Sequence, residues 1–220
     1  MLHESLIHPE TGINLEDFLE HCSIKDYRRQ GIVVRQGEKT DRLFLLLKGS
    51  VSVIRQHEND KDIVLAYLNE GAFFGEMGLF DKKQLRSATI RAKTVCQIAE
   101  ISYTEFTALS AKRPELMFTL SQQLTSRLLS TSKKVSDLAF VDVTGRVAAC
   151  LLELCDQPQA MTHPDGTLLK VTRQELSLNV GCTREMVGKV IKSLEEQGLV
   201  ATIGHSIVVL DHRGKGALAR

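Results

Sequence analysis

Between Gly31 and Ile101 the apolar residues come in short runs broken by turn signals. The runs are Ile32 to Val34, Leu43 to Leu47, Val51 to Arg55, Ile63 to Leu68, Ala72 to Phe74, Ala88 to Ala92 and Val95 to Ile101. Gly37-Glu38, Lys48-Gly49, Glu58-Asn59-Asp60 and Glu70-Gly71 punctuate them. β-Branched and aromatic runs at this spacing predict an antiparallel sandwich or barrel. Ahead of them, Leu15, Phe18, Leu19 and Cys22 sit at helical spacing and predict an amphipathic helix over 14–28.

The texture changes at Pro114, a residue suited to the first turn of a helix. No Gly or Pro follows until after Phe140, and Met117, Leu120, Leu124, Leu128, Thr131, Val135 and Leu138 advance in steps of three and four. That narrow seam predicts a rod of about 40 Å. Its length suits a homodimer seam; the alternative is a helix lying across its own barrel. Thr131 and Ser132 interrupt the seam with hydroxyls that need partners, either across a dimer or on a ligand. Arg127, one turn earlier, is long enough to reach Glu76 if the barrel packs there.

Phe140 to Arg146 breaks the helix as a candidate hinge, with Asp142 or Thr144 as cap of a helix over 146–154. A loop over 158–166 follows, with His163-Pro164-Asp165-Gly166 as its turn. Thr172-Arg173-Gln174-Glu175 is a capping box. It opens a helix that runs to Val180. Gly181-Cys182 turns the chain, and Thr183 caps a second helix, Arg184 to Gln197, with Val187, Val190, Ile191 and Leu194 inward. This predicts a helix-turn-helix, and a β-hairpin wing through Ile203 to Val209. Arg184, Glu185, Lys189 and Lys192 face outward, cations and an acceptor suited to base edges in a major groove. The plainer alternative is a helical hairpin with a solvated charged face. Residues 211–220 read as a mobile tail.

Composition narrows the partners. The 220 residues carry a net charge of +1, so any nucleic-acid surface is local. Five cysteines without a CxxC pair argue against a disulfide framework, a zinc ribbon or an iron–sulfur cluster, and suit a reducing cytosol. No leader or membrane span is apparent, so a cytoplasmic location is expected. His57 is the sole histidine between Gly31 and Ile101, which disfavours a metalloenzyme barrel; no metal and no catalytic residues are expected.

One stretch carries ligand chemistry: Phe73-Phe74-Gly75-Glu76-Met77-Gly78-Leu79-Phe80, then Arg86-Ser87-Ala88-Thr89. Gly75 and Gly78 permit close backbone approach. A short helix after Gly75 is expected to aim N–H groups at an anion. Arg86 offers a fork for a phosphate and Glu76 an acceptor for a sugar hydroxyl. The alternative is a simple turn with Glu76 and Arg86 as an ion pair.

Taken together, the segments resemble the bacterial cyclic AMP receptor protein (catabolite activator protein) family almost end to end, from about Leu15 to Val209. The most specific pieces are Gly75-Glu76-Met77-Gly78-Leu79-Phe80, Arg86-Ser87-Ala88, Leu138-Ala139-Phe140, Asp142-Val143-Thr144-Gly145-Arg146, Met161-Thr162-His163-Pro164-Asp165-Gly166 and Val180-Gly181-Cys182-Thr183-Arg184-Glu185. The resemblance implies an α+β fold. Residues 1–139 form a jelly-roll cyclic-nucleotide-binding domain with a long dimerisation helix (about 114–139), and residues 140–220 a winged helix-turn-helix domain. It implies that Gly75 and Glu76 hold the ribose and Arg86 and Ser87 the cyclic phosphate. Thr131 and Ser132 then contact adenine, the serine from the partner subunit, with Arg127 completing the set. Arg173, Thr183, Arg184, Glu185 and Lys189 are the expected DNA contacts. Thr162, His163, Asp165 and Gly166 lie on the loop matching an RNA polymerase α-subunit contact. The implied molecule is a homodimeric, cyclic AMP-dependent transcription regulator on a two-fold symmetric operator; a sensor of another signal, such as cyclic di-GMP, haem or redox state, is the rival. Four residues depart from the family: Lys189 where the family usually has arginine, and Ser23, Lys25 and Glu105 at a second polymerase contact.

Overall fold

The structure, a computed structural model, describes residues 15–56, 62–81, 85–204 and 206–210. The expected turn at Glu58-Asn59-Asp60, His57, and the tail over 211–220 lie outside the described residues. The chain divides into two compact units, 1–132 and 133–220.

The first unit opens with a short helix, α1 (Glu16–Glu20), and strand β1 (Ser23–Tyr27). The predicted helix over 14–28 is therefore shorter, and its second half is a strand. Pairing with a long neighbour decides the matter: Ser23 to Tyr27 match Glu100 to Cys96 residue for residue. The strands β2 (Ile32–Val34), β3 (Arg42–Lys48), β4 (Val51–Arg55), β5 (Ile63–Leu68), β6 (Phe73–Phe74), β7 (Thr89–Ala92) and β8 (Cys96–Ser102) follow the predicted runs. They form two four-stranded sheets, β1-β8-β3-β6 and β2-β7-β4-β5, with every recorded pairing antiparallel.

Alternation explains why β3 is apolar from Leu43 to Leu47. Leu43 and Leu45 join Phe73, Ala99 and Ile101 in a core closed by helices. Phe44 and Leu46 point the other way, to Phe74, Ile90 and Ile98 in a second core. A strand buried on both faces reads as a continuous apolar run. The helices closing the first core are α1, α3 (Tyr103–Lys112) and the start of α4 (Pro114–Phe140), through Phe18, Phe106, Leu116 and Leu120. Phe18 meets Phe73 edge-on at 5.5 Å between centroids. Burying each such ring contributes about 1.5–3 kcal/mol. A capping box starts α3: Ser102 Oγ accepts from Glu105 N–H, and the Glu105 carboxylate accepts from Ser102 N–H.

The 27 residues of α4 divide in character. Leu116 and Leu120 are buried against the strands, and Met117 and Leu124 pack beside them. Farther on, Leu128, Val135 and Leu138 are 66%, 62% and 48% exposed. The seam thus begins as part of its own barrel's core and continues as an uncovered apolar edge.

The second unit holds α5 (Val143–Cys155), β9 (Met161–His163), β10 (Gly166–Leu169), α6 (Arg173–Val180), α7 (Arg184–Glu196), β11 (Val200–Ile203) and β12 (Ser206–Leu210). Asp142 caps α5, accepting from Gly145 N–H at 2.8 Å. The segment expected as a loop over 158–166 contains a strand, and β9 and β10 form a hairpin within the sheet β11-β12-β10-β9. Short, mostly exposed β9 lacks the apolar alternation that would announce it. Thr172 and Glu175 complete their capping box, and Gly181 takes the left-handed conformation at φ 70°. Val187, Val190, Ile191 and Leu194 are all buried.

Candidate functional site

Gly75 and Glu76 leave strand β6 in a tight turn. Gly75 sits at φ 81°, where a side chain is strained, and a Cβ there would run into Arg86 Nη1 and lie 3.0 Å from the Phe44 ring. Glu76 is the N-cap residue of α2 (Met77–Phe80), a single turn, and is only 7% exposed. Arg86 is fixed through its backbone: Arg86 N–H donates to Glu38 O (2.9 Å), and Arg86 O accepts from Gly37 N–H (2.8 Å).

The two side chains do not pair with each other. Glu76 Oε1 faces Arg127 Nη1 at 3.4 Å. Arg127 Nη2 also donates to Phe73 O and to Gln123 Oε1 (3.3 Å). Arg86 instead donates to Gly75 O (3.2 Å) and Arg42 O (3.0 Å), with its guanidinium 4.9 Å from the centre of the Phe44 ring. Tyr103 O–H donates to the same Gly75 carbonyl at 2.6 Å. Burial lowers the Arg86 pKa from its ordinary value, and the nearby Tyr103, Asp41 and Glu76 oppose that shift. A half-desolvated guanidinium held by neutral carbonyls is a ready partner for an anion.

A cavity of about 860 Å³ joins these groups. Gly75, Glu76, Arg86 and Ser87 line one side, and Gln122, Gln123, Ser126, Arg127, Ser130 and Thr131 on α4 line another. Apolar Val53, Leu65, Ala66 and Leu85 also face it. Such a mix, a polar set of fixed position within an apolar wall, suits a small polar ligand. Of the residues named from sequence, Gly75, Glu76, Arg86, Ser87, Arg127 and Thr131 converge here. Ser132 does not: it is exposed, one step round the helix, and does not line its own chain's cavity. Gln123, which sequence reasoning passed over, does.

In the second unit, Thr183 caps α7, its hydroxyl accepting from Met186 N–H (3.2 Å). Arg184, Glu185 and Lys189 on α7 are exposed, as is Arg173 at the start of α6. Glu195 anchors the other end of α7 to the wing, accepting from Thr202 N–H (2.9 Å) and Oγ–H (2.8 Å). On the β9–β10 hairpin, His163 Nδ1 accepts from Asp165 N–H at 3.2 Å, and Thr162 and Asp165 are exposed. Of the departures, Lys25 is ion-paired with buried Glu100 at 2.9 Å, and Glu105 is occupied in capping α3. Among the described residues no cluster of three metal-binding side chains occurs, and no helix is long and apolar enough to cross a membrane.

Comparison with known proteins completes the description. A family model described as "Cyclic nucleotide-binding domain" matches residues 24–113, and one described as "Crp-like helix-turn-helix domain" matches residues 145–214. The chain is 50% identical over 205 residues to the cAMP-activated global transcriptional regulator CRP of Salmonella typhimurium, covering 93% of this chain and 98% of that protein. It is 49% identical over 203 residues to the cAMP-activated global transcriptional regulator Vfr of Pseudomonas aeruginosa, covering 91% and 95%. Among solved structures, the c-di-GMP responsive global regulator CLP of Xanthomonas campestris is 41% identical with a TM-score of 0.85, covering 90% of this chain and 98% of that one. These relatives are transcription regulators, not enzymes. At this identity and coverage the chain belongs to the cyclic AMP receptor protein family of transcription regulators.

Proposed function

We propose that the chain is a cyclic AMP-dependent, sequence-specific DNA-binding transcription regulator acting as a homodimer in the cytoplasm. The observation that carries this reading is the convergence of Glu76, Arg86, Ser87, Arg127 and Thr131 on one cavity, in a chain that also exposes Arg184, Glu185 and Lys189 on the second helix of a helix-turn-helix. In this reading Gly75 and Glu76 receive the ribose. Arg86 leaves the carbonyls of Gly75 and Arg42 and, with Ser87, takes the cyclic phosphate. Thr131 meets adenine, and Ser132 serves the cavity of the partner subunit. Ligand then bonds barrel and helix α4 at once, and α4 continues past Ser132 into the second unit. Such a ligand shifts the protein only by its differential affinity for two arrangements, which contacts to both elements supply.

Two α7 helices of a dimer address half-sites about 34 Å apart. Arg184, Glu185 and Lys189 read bases, while Arg173 and Thr183 hold the backbone. Thr162, His163, Asp165 and Gly166 form the surface offered to the RNA polymerase α subunit. The functional boundary lies at the hinge, with 1–139 as ligand and dimer domain and 140–220 as DNA domain.

The test is DNA binding by the full chain with cyclic AMP, cyclic GMP, cyclic di-GMP or no ligand. Cyclic di-GMP is included because the Xanthomonas relative is described as responsive to it. Binding that rises only with cyclic AMP is expected; a rise only with cyclic di-GMP, or none with any ligand, overturns the reading.

A further inference from the structure

Gln123 ties the long helix to the backbone of the ligand site. It is 8% exposed, in the middle of α4. Its Oε1 accepts from Phe73 N–H at 2.9 Å, and its Nε2 donates to Gly71 O at 2.8 Å. Gly71 lies in the turn that opens onto β6 and Phe73 in β6 itself, two residues before Gly75, so one side chain ties α4 to the strand that delivers the candidate ribose carboxylate. The same Oε1 also accepts from Arg127 Nη2, one helical turn on, whose Nη1 faces Glu76 at 3.4 Å. A helix places residues four apart on one face, so Gln123 and Arg127 approach the barrel together. Arg127 therefore has its direction set from two sides, by Gln123 and by the Phe73 carbonyl, before it meets Glu76.

We propose that Gln123 is a positioning residue for sugar recognition: by holding β6 and Arg127 in register it fixes Glu76 as an acceptor for the ribose hydroxyl. The proposal rests on the cyclic AMP reading above. A 3′,5′-cyclic nucleotide has one free ribose hydroxyl, at C2′, because the other two are esterified. A fixed carboxylate accepts a charge-assisted bond from it; a wandering one does not. Gln123 touches no ligand in this account. It acts through Glu76 and Arg127, and its loss falls on discrimination of the sugar.

The experiment compares calorimetric affinities of the full-length protein for cyclic AMP and for 2′-deoxy cyclic AMP. Wild type is expected to favour the ribose form by roughly tenfold or more, the size of one hydrogen bond to a charged group. In Gln123→Met, of similar length but without the polar ends, that preference is expected to shrink to about threefold or less. Affinity for the deoxy analogue changes much less. A purely structural glutamine would lower both affinities in parallel and preserve the ratio, and that result overturns the proposal, as does an unchanged protein. Should Gln123→Met fail to fold, Gln123→Glu carries the same readout. It keeps an acceptor toward Phe73, loses the donor toward Gly71, and draws Arg127 off Glu76, so the ratio falls likewise; a retained ratio overturns the proposal. In Arg127→Met, adding Gln123→Met is expected to leave the ratio as it is, and a further fall would show that Gln123 acts by another route. If wild type binds neither nucleotide, the cyclic AMP reading itself fails, which is a different outcome from a lost ratio.

Discussion

Glu76 and Arg127 stand 3.4 Å apart, a carboxylate from the barrel against a guanidinium from the long helix. Glu76 is nearly buried, and Arg127 is the cation beside it. Removing one partner of a buried pair strands the other charge. Arg127→Met is therefore expected to destabilise the first unit by about 3 kcal/mol, discounted for the partial exposure of the arginine. Thermal melts check it, and an unchanged melting temperature would show that Glu76 is adequately solvated without Arg127.

Arg86→Leu is expected to abolish cyclic nucleotide binding while leaving a folded protein. Its side-chain hydrogen bonds go to the carbonyls of Gly75 and Arg42, so the fold loses little. A phosphate loses a forked, charge-assisted pair, about 3 kcal/mol or more and thus at least a hundredfold in affinity. Calorimetry decides, and unchanged affinity rules out Arg86 as the phosphate ligand. Gly75→Ala is expected to act the same way for a different reason: at φ 81° it forces a strained backbone, and its Cβ evicts Arg86 Nη1.

Leu128 and Val135 are expected to lie in a dimer seam, being exposed apolar residues in register with Leu120 and Leu124, which are already packed on the barrel. Leu128→Glu should shift the sedimenting species from twice 24.5 kDa toward 24.5 kDa. Dimers of undiminished affinity would place the interface elsewhere.

Much of this was legible from pattern. The paired runs of β3 and β8, the seam of α4 and the capping box at Thr172 are local signals with long-range consequences, so sequence periodicity captures them. β1 was not, because four of its five residues are exposed and its strand character comes from β8 alone. Helix α3 was missed although Ser102 and Glu105 stand three apart, the same hydroxyl-to-carboxylate signal read correctly at Thr172. The site was half visible: glycines, a carboxylate and an arginine at close spacing suggested a ligand loop. That Arg127 could reach Glu76 was legible from its length and place on the seam, but that Glu76 pairs with it rather than with Arg86 depends on how α4 lies on β6, which no spacing encodes. In sequence Gln123 is one more polar helix residue, and its bonds to Gly71 and Phe73 span about fifty positions that no local pattern links.

Glu195 gives a pH test of the wing. Hydrogen bonds from Thr202 N–H and Oγ–H hold its carboxyl below the usual carboxylate range. A carboxyl with a depressed folded pKa contributes stability above its unfolded value, about 4.3, and loses it as pH falls through the folded value. Melting temperatures of wild type and Glu195→Gln should therefore differ at pH 7 and converge toward pH 3. A gap constant across that range would mean that the ionised form of Glu195 adds no stability through Thr202.

Lys189 invites a gain of discrimination. It is exposed on α7, one turn beyond Glu185. An ammonium reaches a guanine edge as a point charge, whereas a guanidinium forks onto O6 and N7 together. Lys189→Arg is thus expected to raise preference for guanine at the facing base by about 1 kcal/mol, roughly fivefold, in gel-shift competition between operators differing at that pair. Affinity for unrelated DNA should hardly move, because the net charge is the same. Glu185→Ala is the complementary variant, relaxing preference for cytosine at its own base without weakening nonspecific binding. If Lys189→Arg tightens all sequences equally, the residue contacts phosphate, and base reading at that step falls to Arg184 and Glu185.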